Sequence, residues 1–130
     1  MNINTKRYIE TFIKIRNKEG KIVGFKLNSP QQKLYDVIKD QKQEKKPVRI
    51  IILKARQMGF STLTESILFK DTVTKFNRRT GIITHKATAT ANLFNMSKLM
   101  LDNLPDDIKP SIKASNAQEL VFDNDSGTGL

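Results

Sequence analysis

Cysteine is absent from this 130-residue chain, which removes disulfides, thiolate metal sites and cysteine nucleophiles together. Histidine is nearly absent as well. His85 stands alone at the end of an expected strand, with no nucleophile motif near it from which a Ser/His/Asp arrangement could be built. No apolar run approaches the ~18 residues of a membrane helix, and Met1 to Glu10 lack the continuous apolar segment of a secretory signal. A cytoplasmic protein is expected. The sequence shows no internal repeat, and no aromatic residues are interleaved with the lysines as a base-stacking platform requires.

Positive charge, by contrast, is abundant and uneven. The formal net charge is +10, and residues 1–56 carry all of it, with 15 Lys and Arg against 5 Asp and Glu; residues 57–130 are balanced at 8 against 8. A basic N-terminal half attracts polyanions, either nucleic acid or nucleotide phosphates, although a lysine-rich surface also serves plain solubility. The hydrophobic content of 38% is enough for one small core.

The central stretch is Leu53-Lys54-Ala55-Arg56-Gln57-Met58-Gly59-Phe60-Ser61-Thr62. Before it, Val48, Ile50, Ile51, Ile52 and Leu53 form a nearly continuous β-branched and aliphatic run, as in a strand covered on both faces of a parallel sheet. After it, Leu63, Ile67, Leu68, Val73 and Phe76 predict a helix over 61–76. In the phosphate loop GxxxxGK[ST], backbone N–H groups and the helix N-terminus hold phosphate, lysine neutralises it and the hydroxyl binds magnesium. Gly59 and Ser61 occupy the second-glycine and hydroxyl positions. Lys54 stands in the first glycine's place and Phe60 in the lysine's, so any cation within the loop is Lys54 or Arg56. An ordinary strand, turn and helix with one turn glycine gives the same local pattern.

Around this centre the spacing predicts a hairpin within residues 1–28, turning at Gly20, with Ile9 to Ile15 as its first arm or as a short helix. A helix is expected over 29–46, with Ser29 as cap, Pro30 at the first helical position and Gln32 closing a capping box. Residues 47–104 read as strand, loop, helix, strand (81–85) and helix, the last with Leu93, Met96, Met100 and Leu104 on one side. Residues 105–130 read as a hairpin of 112–114 with 119–122 and a frayed Gly-rich tail.

With these residues laid out, the chain resembles the N-terminal part of the ATPase domain of tailed-phage terminase large subunits, the DNA-packaging motors. The resemblance rests on residues 13–21, on Lys26-Leu27-Asn28 with Gln31 and Gln32, on Thr84-His85-Lys86, on residues 93–98, and above all on Lys54 to Thr62. Many terminases have a deviant Walker A loop of the form KARQxGxST. The fold this implies is α/β: a partial P-loop NTPase sheet of the RecA-like, ASCE kind, flanked by helices, with an N-terminal β-hairpin and the C-terminal part of the domain missing.

By the same resemblance, ATP and Mg²⁺ are the cofactors. Lys54 or Arg56 takes the phosphate role within a loop that includes Gln57, Met58, Gly59, Phe60 and Thr62, and Ser61 takes the magnesium role. Gln31 or Gln32 reads the adenine edge; otherwise Gln32 caps a helix and Gln31 is simply solvated. No catalytic residue is assigned, because hydrolysis needs an acidic pair after an apolar strand and Asp123 is followed by Asn124. The family's Walker B strand and nuclease domain would fall beyond Leu130. The implied partners are double-stranded DNA and, for the full-length family, the small terminase subunit and the portal protein; bare sheet edges also suggest a homo-oligomer. The competing readings are a basic module that binds DNA or protein without sequence preference, and a prophage remnant without function.

Overall fold

The structure is a computed structural model, and it describes residues 4–53, 59–84, 86–115, 119–122 and 124–129. These form four helices and two small sheets around one core, a mixed α/β arrangement. Helix α1 (Thr5–Phe12) opens the described chain, and the Asn4 side chain caps it by accepting from the Arg7 N–H. The segment from Ile9 is therefore helix first and strand second. Strands β1 (Lys14–Arg16) and β2 (Ile22–Gly24) pair antiparallel around a turn in which Asn17 Oδ1 accepts from both Glu19 and Lys21, with Gly20 at φ +81°.

Helix α2 (Ser29–Gln43) is capped one residue earlier than the spacing suggests. Asn28, not Ser29, is the cap, and Gln31, not Gln32, closes the box: the Gln31 N–H donates to Asn28 Oδ1 at 2.9 Å, while the Asn28 N–H donates to Gln31 Oε1 at 2.8 Å. The helix also stops short of Lys46. Glu44 and Lys45 form a turn, with Lys45 at φ +59°.

The run 48–53 departs most from expectation. It has no strand partner among the described residues and lies outside either sheet. Val48, Ile50 and Ile52 line a groove with Leu34, Ile38 and Leu68, whereas Ile51 and Leu53 are 93% and 96% exposed. The alternation of a strand is present without a ladder, and only one of its faces is covered.

Helix α3 (Phe60–Thr74) and helix α4 (Ala87–Asp102) pack side by side, and Leu63, Phe69, Phe94, Met100 and Leu101 are buried. Strand β3 (Arg79–Gly81) arrives earlier than the expected 81–85. Ile82 to Thr84 lie outside the strand, with Ile83 96% exposed, and His85 lies outside the described residues. Strands β4 (Ile112–Ser115) and β5 (Glu119–Phe122) pair antiparallel as the spacing suggests.

The Gly-rich tail is the other correction. Gly127–Gly129 is β6, which inserts between β5, antiparallel, and β3, parallel, giving the order β3-β6-β5-β4. Glycine is needed there because a Cβ on Gly127 would lie 2.6 Å from the Leu120 carbonyl oxygen. Asn124 and Ser126 fasten this hairpin to the end of α3. The Asn124 amide donates to Thr72 O (2.9 Å) and Lys75 O (3.0 Å), and Ser126 Oγ bridges Lys75 O and the Arg78 N–H. No described helix is long and apolar enough to cross a membrane.

Two buried polar groups yield predictions. The Tyr8 hydroxyl has no hydrogen-bond partner among the described residues, and burial pushes its pKa up to about 12. Tyr8→Phe keeps the edge-to-face contact with Phe12 and removes an unpaired donor. Urea unfolding should show it as stable as the parent, or about 1 kcal/mol more stable. Glu65 on α3 is buried and accepts from Ser97 Oγ of α4 at 2.9 Å; burial raises its pKa, and the Ser97 bond partly opposes the rise.

Because the folded state holds this proton more tightly than the unfolded state, the contribution is full below the ordinary value of 4.5. It is lost as pH climbs through the raised value. Glu65→Gln should therefore be more stable than the parent at pH 7, with the advantage shrinking toward pH 4 in parallel melts.

Candidate phosphate-loop site

Gly59 is the residue on which the site turns. It sits in the left-handed region (φ +79°, ψ 14°) as the N-cap of α3, with no side-chain cap, and the first helical bond runs from the Leu63 N–H to its carbonyl at 3.1 Å. Only glycine takes that conformation without strain. The N–H groups of Ser61 and Thr62 precede the first helical bond and have no partner among the described residues. Ser61 is exposed and Thr62 is half-buried. This is the arrangement of amides and dipole that favours an anion. Lys54, Arg56, Gln57 and Met58 lie outside the described residues.

The capping box of α2 reaches directly into this loop. Gln31 is 3% exposed, and its amide Nε2 donates to the Gly59 carbonyl at 2.8 Å while its Oε1 serves Asn28. Both ends of the Gln31 amide are thus engaged within the chain, and the N-termini of α2 and α3 are tied together. A Cβ on residue 59 would lie 2.4 Å from that same nitrogen. Gln32 instead donates to Asp36 Oδ1 at 2.9 Å on the exposed side of α2.

Beside the loop, Phe60 joins Pro30, Leu34, Val37 and residues 50–53 in an open groove of about 380 Å³, and Lys33 adds a cation to its lining. Lys33 is absent from the sequence-based site. The signal for it was the cap at Asn28, which sets the first turns of α2 beside the loop.

The other candidate residues serve local structure. Thr84 Oγ1 donates to Lys86 O at 2.7 Å, accepts from the Lys86 N–H and bonds Thr90, so its hydroxyl fastens the start of α4. Asn124 holds the end of α3, and Asp123 lies outside the described residues. The basic surface also differs from the simple division by sequence. The lowered pKa of Lys70 has burial as its first cause and repulsion from Lys75 and Lys42 among the others, with Asp71 opposing. Two lysines of the balanced half thus join the basic half at one end of α2 and α3.

The chain is therefore a mixed α/β protein with a glycine-capped helix start beside a largely apolar groove. No protein-family model matches the sequence, and no curated protein matches it significantly.

The tie between Gln31 and Gly59 can be measured. Gly59→Ala imposes a left-handed alanine, at about 1–2 kcal/mol, and forces Cβ onto the Gln31 amide. Urea unfolding should show a loss of more than about 2 kcal/mol. In a Gln31→Ala background the penalty should fall to about that of the backbone alone, so the two changes should be clearly non-additive.

Proposed function

We propose that this chain carries the phosphate-loop part of a terminase-like packaging ATPase, and that by itself it binds nucleotide phosphate without turning it over efficiently. The observation that carries the reading is the left-handed Gly59 with exposed Ser61 in the first turn of α3, directly after the Lys54-to-Met58 sequence. An anion placed there meets the open amides of Ser61 and Thr62 and the positive end of a 15-residue helix. Ser61 supplies the hydroxyl for Mg²⁺, and Lys54 or Arg56 supplies the charge that Phe60 cannot.

The groove beside Phe60, apolar with Lys33 at its side, has the character expected of a pocket for a planar base. The base then rests on apolar contact alone, since the Gln31 amide is already used at both ends and Gln32 bonds Asp36 on the exposed side of α2, away from the groove lining. Hydrolysis needs a carboxylate that positions water. Asn124, next to Asp123, is occupied in holding α3 and carries no charge. A cytoplasmic setting and double-stranded DNA as track accompany this proposal.

The excess of Lys and Arg in residues 1–56 favours a second reading, a basic module that grips DNA without sequence preference. A salt series separates the two, because phosphate-backbone binding weakens steeply with salt and needs no nucleotide.

Titration calorimetry with ATP and Mg²⁺ tests the main proposal. Neutralising Lys54 and Arg56 together should weaken binding, whereas Asp123→Ala should leave it nearly unchanged. Turnover of about one ATP per second or faster, within the usual enzyme range, would overturn the reading if Asp123→Ala abolished it.

A further inference from the structure

A second cavity, of about 110 Å³, lies where the β1–β2 hairpin meets α3 and α4. Ile15, Met96, Leu99 and Met100 give it an apolar lining, and Lys14 and Arg16 supply its charge, with Thr62 alongside. No Asp or Glu is among the lining residues. Lys14 has no ion pair among the described residues, and Arg16 commits one nitrogen to the Gly20 carbonyl at 2.8 Å, which leaves the rest of its guanidinium available. The hairpin beyond adds Lys18, Lys21 and Lys26 against Glu19 alone.

A site for a bare phosphate would not be lined mainly by two methionines, a leucine and an isoleucine. A site for a purely apolar partner would not be lined by unpaired cations, which lose hydration on contact. The size fits one side chain, and methionine lining adapts its shape readily. We propose that this groove docks an acidic peptide segment of a partner protein, which inserts one aliphatic side chain between Met96 and Met100 while its carboxylates meet Lys14 and Arg16. This rests on the groove alone and does not require nucleotide binding.

Methyl-labelled methionine provides a local readout, since the chain has only four, Met1, Met58, Met96 and Met100. The probe is an acetylated Asp-Glu-Leu-Glu-Asp peptide, compared with its analogue carrying serine in place of leucine and with a short DNA duplex. The leucine peptide should shift the Met96 and Met100 methyl signals saturably, with assignments from Met→Leu variants. The serine analogue should bind roughly tenfold or more weakly, as expected for losing one buried aliphatic side chain.

Lys14→Gln, a mild change on the hairpin, should weaken binding roughly twofold to fivefold, and Lys14→Glu with Arg16→Glu should weaken it further. Should the double variant fail to fold, the single variant decides. Equal binding of the two peptides, absence of shifts at Met96 and Met100, or stronger shifts of those methyls by the duplex would each overturn the proposal.

Discussion

The side-chain amide of Gln31 is the small contact on which the geometry of the loop depends. One end closes the capping box with Asn28 and the other holds the Gly59 carbonyl, so a single planar group fixes the starts of two helices. At 3% exposure it competes with little water, and an amide left unpaired there would cost about 1–3 kcal/mol. The opposite end of α3 is held in the same manner by Asn124 and Ser126, which take up the carbonyls of Thr72 and Lys75. Helix α3 is thus clamped at both ends by polar side chains from distant sequence, and its middle is buried by Leu63, Ile67 and Phe69. Its position is set by groups that have very few alternative partners.

The segment 48–53 shows what such clamping does not supply. Partial burial of Ile50 against the core, with Val48 and Ile52 on the same groove wall, is enough to orient the chain, so the alternation of a strand survives. A strand also needs neighbours for its N–H and C=O groups. The described backbone bonds of this run come from Gln41, which pairs with the Arg49 N–H at 2.9 Å and its carbonyl at 3.4 Å. Side-chain burial alone therefore fixes which way the residues face, while pairing decides whether they become sheet. Just past the end of β3, pairing and burial end together: the buried Ile82 still donates its N–H to the Gly129 carbonyl at 3.1 Å, and the next residue, Ile83, is fully exposed.

Features that depend on local chemistry were legible in the residues. The turn at Gly20, the helix start near Pro30, the existence of α4 with Leu93, Met96 and Met100 on it, and the pairing of β4 with β5 follow from turn glycines, capping groups and periodicity. Features that depend on distant partners were not. The cap moved to Asn28 because Gln31 could also reach Gly59, a contact 28 residues away. The tail became an inner strand where Gly127 admits the Leu120 carbonyl, and composition alone reads such a glycine as looseness. At the site, the glycine position was readable from spacing. Lys33 and the meeting of Lys42 with Lys70 and Lys75 required the helices to be placed first.

Charge sets what the loop can hold. A helix start contributes the equivalent of roughly half a positive charge, far less than a polyphosphate carries, so amides and dipole alone cannot neutralise a nucleotide. In the usual loop the lysine before the hydroxyl completes the balance, and here that position is Phe60, whose ring lines the apolar groove instead. For the proposed nucleotide site, the cation would have to come from another residue, and among the described residues Lys33 of α2 lines the same groove. Exposed charges around a fixed anion site act through partly screened attraction, which supports binding but does not pin the γ-phosphate against a chosen water. On the proposed reading, such a loop would separate holding a phosphate from transferring it, because the first needs only net charge and open amides, while the second needs a carboxylate held at one defined place.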